Sequence, residues 1–302
     1  MLLLVGEDGC YNPSMFSNRT VQRFRRVQRL LDELDPQKEP QVRLVPGSPS
    51  PRRNIIVFPG SFNPPTTAHL ALLKQARQFG RLHGGMLVYA AMSKRTTDKE
   101  TVERPLLVDR ILLLDTVLHN HAPHIGILLF NRGLYVEQAE AIRSQYPDVR
   151  KLYFLLGFDK IVQIFDARYY ENRDKALREL FALADILVAP RAGAGPAELS
   201  ALLAQPENAP FAAHVHALPL NASYRDVSSS RVRQSLAVHE QDMPPEVRRF
   251  VRDTQAYASP VRLVDGSIVD VYGERAEAIK NITHANDGRS ACSGRSARYR
   301  PQ

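Results

Sequence analysis

Thr66 and His69 stand three residues apart in FPGSFNPPTTAH, Phe58 to His69. At that spacing on a helix two side chains share one face. An imidazole opening a helix beside Gly60, Ser61 and Phe62 is placed to donate to a bound phosphate and to stabilise charge on a leaving group. A short glycine-containing loop before a helix also offers backbone N–H groups to an anion. Taken alone, Thr66 reads as a helix cap and His69 as a surface histidine. Their setting between an apolar run and a helical pattern shifts the reading toward chemistry.

Two further clusters point the same way. In VSSSRVRQSL, Val227 to Leu236, the serines suit helix capping, while the hydroxyls of Ser229 and Ser230 with Arg233 one turn in suit the outer phosphates of a nucleotide. In LLGFD, Leu155 to Asp159, Gly157 permits close approach of a ligand, and Asp159 serves equally as a helix cap or as an acceptor for ribose hydroxyls. VAPRAG, Val188 to Gly193, then sets Arg191 and Gly193 after another apolar run. The chain has no GxxxxGK[ST], no GxGxxG after a strand and no GxSxG, which argues against a P-loop, a dinucleotide fingerprint or a serine-hydrolase elbow. Cys10 and Cys292 have no metal spacing and no Cys/His cluster occurs, so no protein-bound metal is expected.

The elements that must position these residues follow from periodicity. Short apolar runs at 54–58, 86–91, 125–130, 151–156, 185–189 and 214–218 read as strands. Helical patterns near 69–79, 106–119, 134–145, 174–183, 196–204, 229–238 and 245–257 separate or follow them. The alternation predicts an α/β fold, a Rossmann-like doubly wound parallel sheet with helices on both faces. Ligands bind such sheets beyond the carboxyl ends of the strands, where strand order reverses.

The ends read differently. Residues 1–53 form an extension, with one amphipathic helix on Val21, Phe24, Val27, Leu30, Leu31 and Leu34 and a Pro/Ser-rich linker at 46–53. Residues 54–258 make the main domain. Residues 259–302 form a tail without clear period that becomes Ser/Arg/Gly-rich and disordered at its end. A chain cut near Ser259 is therefore expected to fold. The 302 residues carry net charge +8, which fits a polyanionic ligand, nucleic acid or an acidic surface without choosing among them. The basic N-terminal helix and tail read as solvated surface, which disfavours nucleic acid. No apolar run reaches about 18 residues, so no membrane span is expected. Sparse cysteine suits a reducing compartment, cytoplasm or nucleus.

In order along the chain, GSFNPPTTAH, GFD, APRAG and VSSSRVR resemble the signatures of the nucleotidylyltransferase superfamily, (H/T)xGH and ISSTxxR among them. Within it, residues 54–257 are most similar to nicotinamide mononucleotide adenylyltransferases. The resemblance implies adenylyl transfer from ATP to nicotinamide or nicotinate mononucleotide, giving NAD and pyrophosphate, with Mg²⁺ arriving on ATP. It implies that His69 stabilises the transition state at the α-phosphate, with Thr66 where many members carry a first histidine. Gly60, Ser61 and Phe62 would meet both substrates, Gly157 and Asp159 would contact ATP, and Ser229, Ser230 and Arg233 would hold its phosphates. Lys94 and Arg191 would face the mononucleotide. Three departures stand out: Asn63 for an aspartate, Ala68 for a glycine, and no tryptophan to stack on nicotinamide. Tyr169, Tyr170, Phe130 or Tyr135 would have to stack instead. Competing functions are an ATP hydrolase, a transferase using CTP or another phosphorylated acceptor, and a non-catalytic nucleotide binder.

Overall fold

The computed structural model describes residues 16–94, 104–191 and 193–284. Seven strands form one sheet: β1 (Val42–Leu44), β2 (Arg53–Pro59), β3 (Leu87–Ser93), β4 (Ile125–Phe130), β5 (Val149–Gly157), β6 (Asp185–Ala189) and β7 (Val215–Ala217). Their order is β1-β4-β3-β2-β5-β6-β7. β1 runs antiparallel to β4, and every other pair is parallel. The chain lays β3 and β4 to one side of β2, then returns to lay β5, β6 and β7 on the other. Strand order therefore reverses between β2 and β5. The loop after Pro59 and the β5-to-helix junction at Gly157 open on the crevice this reversal creates.

The period of two in a strand sends alternate residues to opposite layers. Ile56 and Phe58 join one core with Phe24, Leu73, Ile111 and Ile279, while Ile55 and Val57 join the other with Ile142, Ile161 and Leu180. The first layer is covered by α1 (Asn18–Asp32), α2 (Thr67–Leu82), α3 (Leu107–His121), α9 (Pro245–Thr254) and α10 (Val271–His284). The second is covered by α4 (Tyr135–Gln145), α5 (Phe158–Phe165), α6 (Arg173–Leu183) and α7 (Pro196–Leu203). Short α8 (Ser229–Gln234) inserts Val232 into the first core. The doubly wound parallel sheet expected from the sequence is the fold observed.

Several expectations need correction. The stretch 46–53 is not a free linker: Ser48 Oγ accepts the Ile127 N–H at 2.9 Å and Tyr89 donates to the Pro49 carbonyl at 2.8 Å. The extension also supplies an edge strand, β1, whose three residues are too few to show a period. The helix expected over 229–238 ends at Gln234. Past Ser259 the chain forms a small hairpin, β8 (Val261–Arg262) and β9 (Ile268–Val269), and then α10. Tyr272, Ile279 and Ile282 of α10 are buried, so this part of the tail is core. The disorder expected at the very end falls on 285–302, outside the described residues.

Candidate functional site

β2 is a buried central strand, so its end and the helix that follows are fixed in place. Thr66, fully buried and extended at φ −120°, caps α2, and His69 is the third residue of the helix. The Thr66 N–H donates to His69 Nδ1 at 2.9 Å, and the Thr66 hydroxyl accepts from the His69 N–H at 3.4 Å. A backbone N–H can only donate, so Nδ1 carries no proton and the neutral ring is protonated at Nε2. The Thr66 hydroxyl also lies 2.8 Å from Nδ1. Phe58 and Phe62 flank the imidazole, at 5.8 and 4.9 Å between ring centres. Burial first, and the charge of Arg191 second, lower its pKa to about 4. His69 is thus a neutral hydrogen-bond donor at neutral pH. Among the described residues the Thr66 hydroxyl pairs with His69 alone, which helps to hold the ring in place.

The loop between β2 and α2 is tied down by its carbonyls. Arg110 Nη1 donates to Ser61 O at 3.2 Å, Arg233 Nη1 to Asn63 O at 2.6 Å and Ser229 Oγ to Pro64 O at 2.7 Å. Tyr257 donates to Asn63 Oδ1 at 2.8 Å. Phe62 takes φ +45°, which turns its ring into the core against Phe58. Such a backbone costs roughly 1–3 kcal/mol and persists only where surroundings enforce it. The expected set of free amides is smaller than anticipated, because the Gly60 N–H donates to Ala91 O at 2.9 Å. Among the described residues the Ser61 and Phe62 N–H groups have no acceptor.

Gly157, Asp159 and Arg191 meet on the β5–β6 side of the crevice, its second wall. Arg191 Nε lies 3.2 Å from Asp159 Oδ2, and its stem passes over Gly157, where an added Cβ would stand 3.6 Å from Cδ. Gly157, not Asp159, caps α5. Arg191 and Ala194 exchange backbone hydrogen bonds of 3.0 and 2.9 Å, closing a turn in which Gly193 takes φ +84°. Ser228 caps α8, which leaves Ser230 exposed at the start of that helix.

The remaining sequence candidates have other settings. Lys94 Nζ donates to Leu31 O, at the end of α1, at 2.8 Å. Phe130 is core, and Tyr170 spends its hydroxyl on Ile164 O. Tyr135 packs edge-on against Phe154. Tyr169 remains 65% exposed and is the one stacking candidate presented to solvent. Three contributors went unread in the sequence. Arg110 was visible as a charge inside the apolar run of α3, between Val108 and Ile111; Tyr257 carried no local signal. An open apolar hollow of about 190 Å³, lined by Phe158, Pro190, Leu199, Leu218, Leu220 and Arg225, depends on β6 and β7 being neighbours. Arg225 Nε is buried and has no partner among the described residues.

Comparison with known proteins bears on the family of the chain. The cytidylyltransferase-like family model matches residues 57–235. A Schizosaccharomyces pombe protein named "Putative nicotinamide mononucleotide adenylyltransferase" is 27% identical over 138 residues, 44% of this chain and 51% of that protein. The chain thus spans about half the length of that relative. A Bordetella pertussis protein named "Probable nicotinate-nucleotide adenylyltransferase" is 31% identical over 183 residues, 59% of this chain and 83% of that protein. A solved Vibrio parahaemolyticus structure, of a "Putative Nicotinate-nucleotide Adenylyltransferase", aligns at TM-score 0.39 and 16% identity, over 68% of this chain and 95% of its own.

Proposed function

The chain belongs to the cytidylyltransferase-like family, and we propose that it transfers an adenylyl group from ATP to nicotinamide or nicotinate mononucleotide. The observation that carries this reading is His69, held neutral with its proton on Nε2 beside the reversal of strand order. A phosphate oxygen of the mononucleotide bonds to the α-phosphorus of ATP, the bond from that phosphorus to the β-phosphate bridging oxygen breaks, and pyrophosphate leaves. No covalent enzyme intermediate and no net proton transfer to protein are required. The protein positions two polyanions and stabilises developing charge. His69 Nε2–H donates to a non-bridging α-oxygen. The N–H groups of Ser61 and Phe62 face the substrates, Ser230 and Arg233 hold the outer phosphates, and Gly157 and Asp159 receive the ATP ribose. Arg191 and Tyr169 meet the mononucleotide. The apolar hollow with Arg225 suits a flat heteroaromatic base. Mg²⁺ enters as MgATP, carried by the phosphates; among the described residues no cluster of His, Cys, Asp and Glu would hold it.

The test is incubation of the protein with MgATP and either mononucleotide, followed by chromatography. A dinucleotide with pyrophosphate supports the proposal. ADP with phosphate would make the protein a hydrolase, and transfer only from CTP or to another acceptor would replace the substrate.

A further inference from the structure

Asp109 lies in the first turn of α3 and is 2% exposed, so its carboxylate needs partners. They come from the far end of the chain. Arg275 binds it twice, Nε to Oδ2 at 3.0 Å and Nη2 to Oδ1 at 2.7 Å, and Tyr272 donates to Oδ2 at 2.9 Å. The same Tyr272 oxygen accepts the Leu106 N–H at 2.7 Å, and Asp270 pairs with Arg104. The start of α10 therefore clamps the start of α3. Arg110, next to Asp109, reaches Ser61 O, and among the described residues no carboxylate holds its guanidinium in place and its buried Nε has no partner. The placement of Arg110 is set by the helix that carries it. A second thread runs through Tyr257, whose hydroxyl reaches Asn63 Oδ1.

Resting on the function proposed above, we propose that the C-terminal segment from Tyr257 through α10 is a positioning element of the active site. Tyr257 fixes Asn63 directly, and Tyr272 with Arg275 fixes Ser61 through Asp109 and Arg110. The loop they hold supplies the free N–H groups of Ser61 and Phe62 and packs Phe62 on His69. A shift of about 1 Å in such a loop costs on the order of 10²-fold in rate.

Two conservative variants test this, Tyr257→Phe and Tyr272→Phe, each removing one hydroxyl and no ring. Ile282→Val, buried in α10 and a member of neither hydrogen-bonded thread, is the packing control. Three readouts are compared: kcat and KM for ATP, hydrogen exchange of peptides covering 58–69, and melting temperature. Both tyrosine variants should lower kcat about tenfold or more with KM changed less than about threefold, as loss of a transition-state arrangement does. Both should accelerate exchange in the loop. Ile282→Val should lower the melting temperature with kcat and loop exchange as in the wild type. Tyrosine variants that behave like Ile282→Val overturn the proposal. A wild-type protein that makes no dinucleotide defeats the proposed function instead, and the exchange comparison still decides the positioning role.

Discussion

On the β2 side of the crevice Asn63 and Thr66 are almost wholly excluded from solvent, and side chains of α3, α8 and residue 257 hold the loop carbonyls. On the β5–β6 side Asp159 and Arg191 leave 54% and 45% of their side chains exposed and meet at one 3.2 Å contact. The first wall is already in one arrangement before any ligand arrives, as transition-state stabilisation demands. The second has groups free to re-pair with a ligand at small cost, as binding demands. The contrast predicts that damage to the first wall appears in kcat and stability, and damage to the second in KM.

The largest effect should come from removing the support of the first wall altogether. A chain ended after Ser259 loses the buried side chains of Tyr272, Ile279 and Ile282 and strands Asp109 as an unpaired buried carboxylate. Losing one partner of a buried ion pair alone costs about 3–5 kcal/mol. The truncated protein should melt at least about 10 °C lower or fail to fold, contrary to what the composition of the tail suggests. Calorimetry on the two chains checks it, and equal melting temperatures would show the first wall to be independent of α10.

Next is His69→Ala. It removes the neutral donor and should lower kcat about 10²–10³-fold, since one such donor is commonly worth that much. ATP affinity should change little. Steady-state kinetics with calorimetric titration separates the two, and wild-type turnover in the variant would end the proposed mechanism.

The strands and the order of site loops were legible because buried parallel strands are short apolar runs and because glycine, proline and capping residues punctuate them. β4 and β6 were bounded from sequence as they are observed. α5 escaped notice because its apolar residues follow β5 without a break, so strand and helix share one run. α10 was hidden by its mixed composition; it is held by the buried side chains of Tyr272, Ala278, Ile279 and Ile282 and by the ion pair of Arg275 with buried Asp109, and such pairing leaves no local period. The same glycine, proline and capping signals marked Thr66, His69, Gly157 and Arg191 beside strand ends and helix starts. Tyr257 and Arg110 act on the loop across 194 and 49 residues of chain, and nothing nearby marks their partners.

A smaller effect concerns acid. Folding lowers the His69 pKa from 6.5 to about 4, so between those values the unfolded chain binds the proton more readily. The stability due to neutral His69 is complete above pH 6.5 and is lost as pH falls toward 4. Urea unfolding from pH 7.5 down to 4.5 should therefore show a steeper loss in the wild type than in His69→Gln. Identical slopes would place His69 in a more hydrated setting than its aromatic neighbours imply.

The smallest stability effect belongs to the second wall. Exposed ion pairs contribute about 0–1 kcal/mol, so Asp159→Asn should shift the melting temperature by only a degree or two. Its functional effect should be confined to binding. The carboxylate is held by Arg191 alone among the described residues, and a nucleotide ribose can take over that acceptor without breaking a buried contact. Losing the charge should raise KM for ATP several-fold with kcat unchanged, the mark of an interaction made equally in ground and transition states. Arg191→Lys keeps the charge near Asp159 and near His69 but gives up the planar fork, so it should raise KM for the mononucleotide more than for ATP. If Asp159→Asn instead lowers kcat as deeply as His69→Ala, the second wall is as preorganised in action as the first, and the division of labour between them fails.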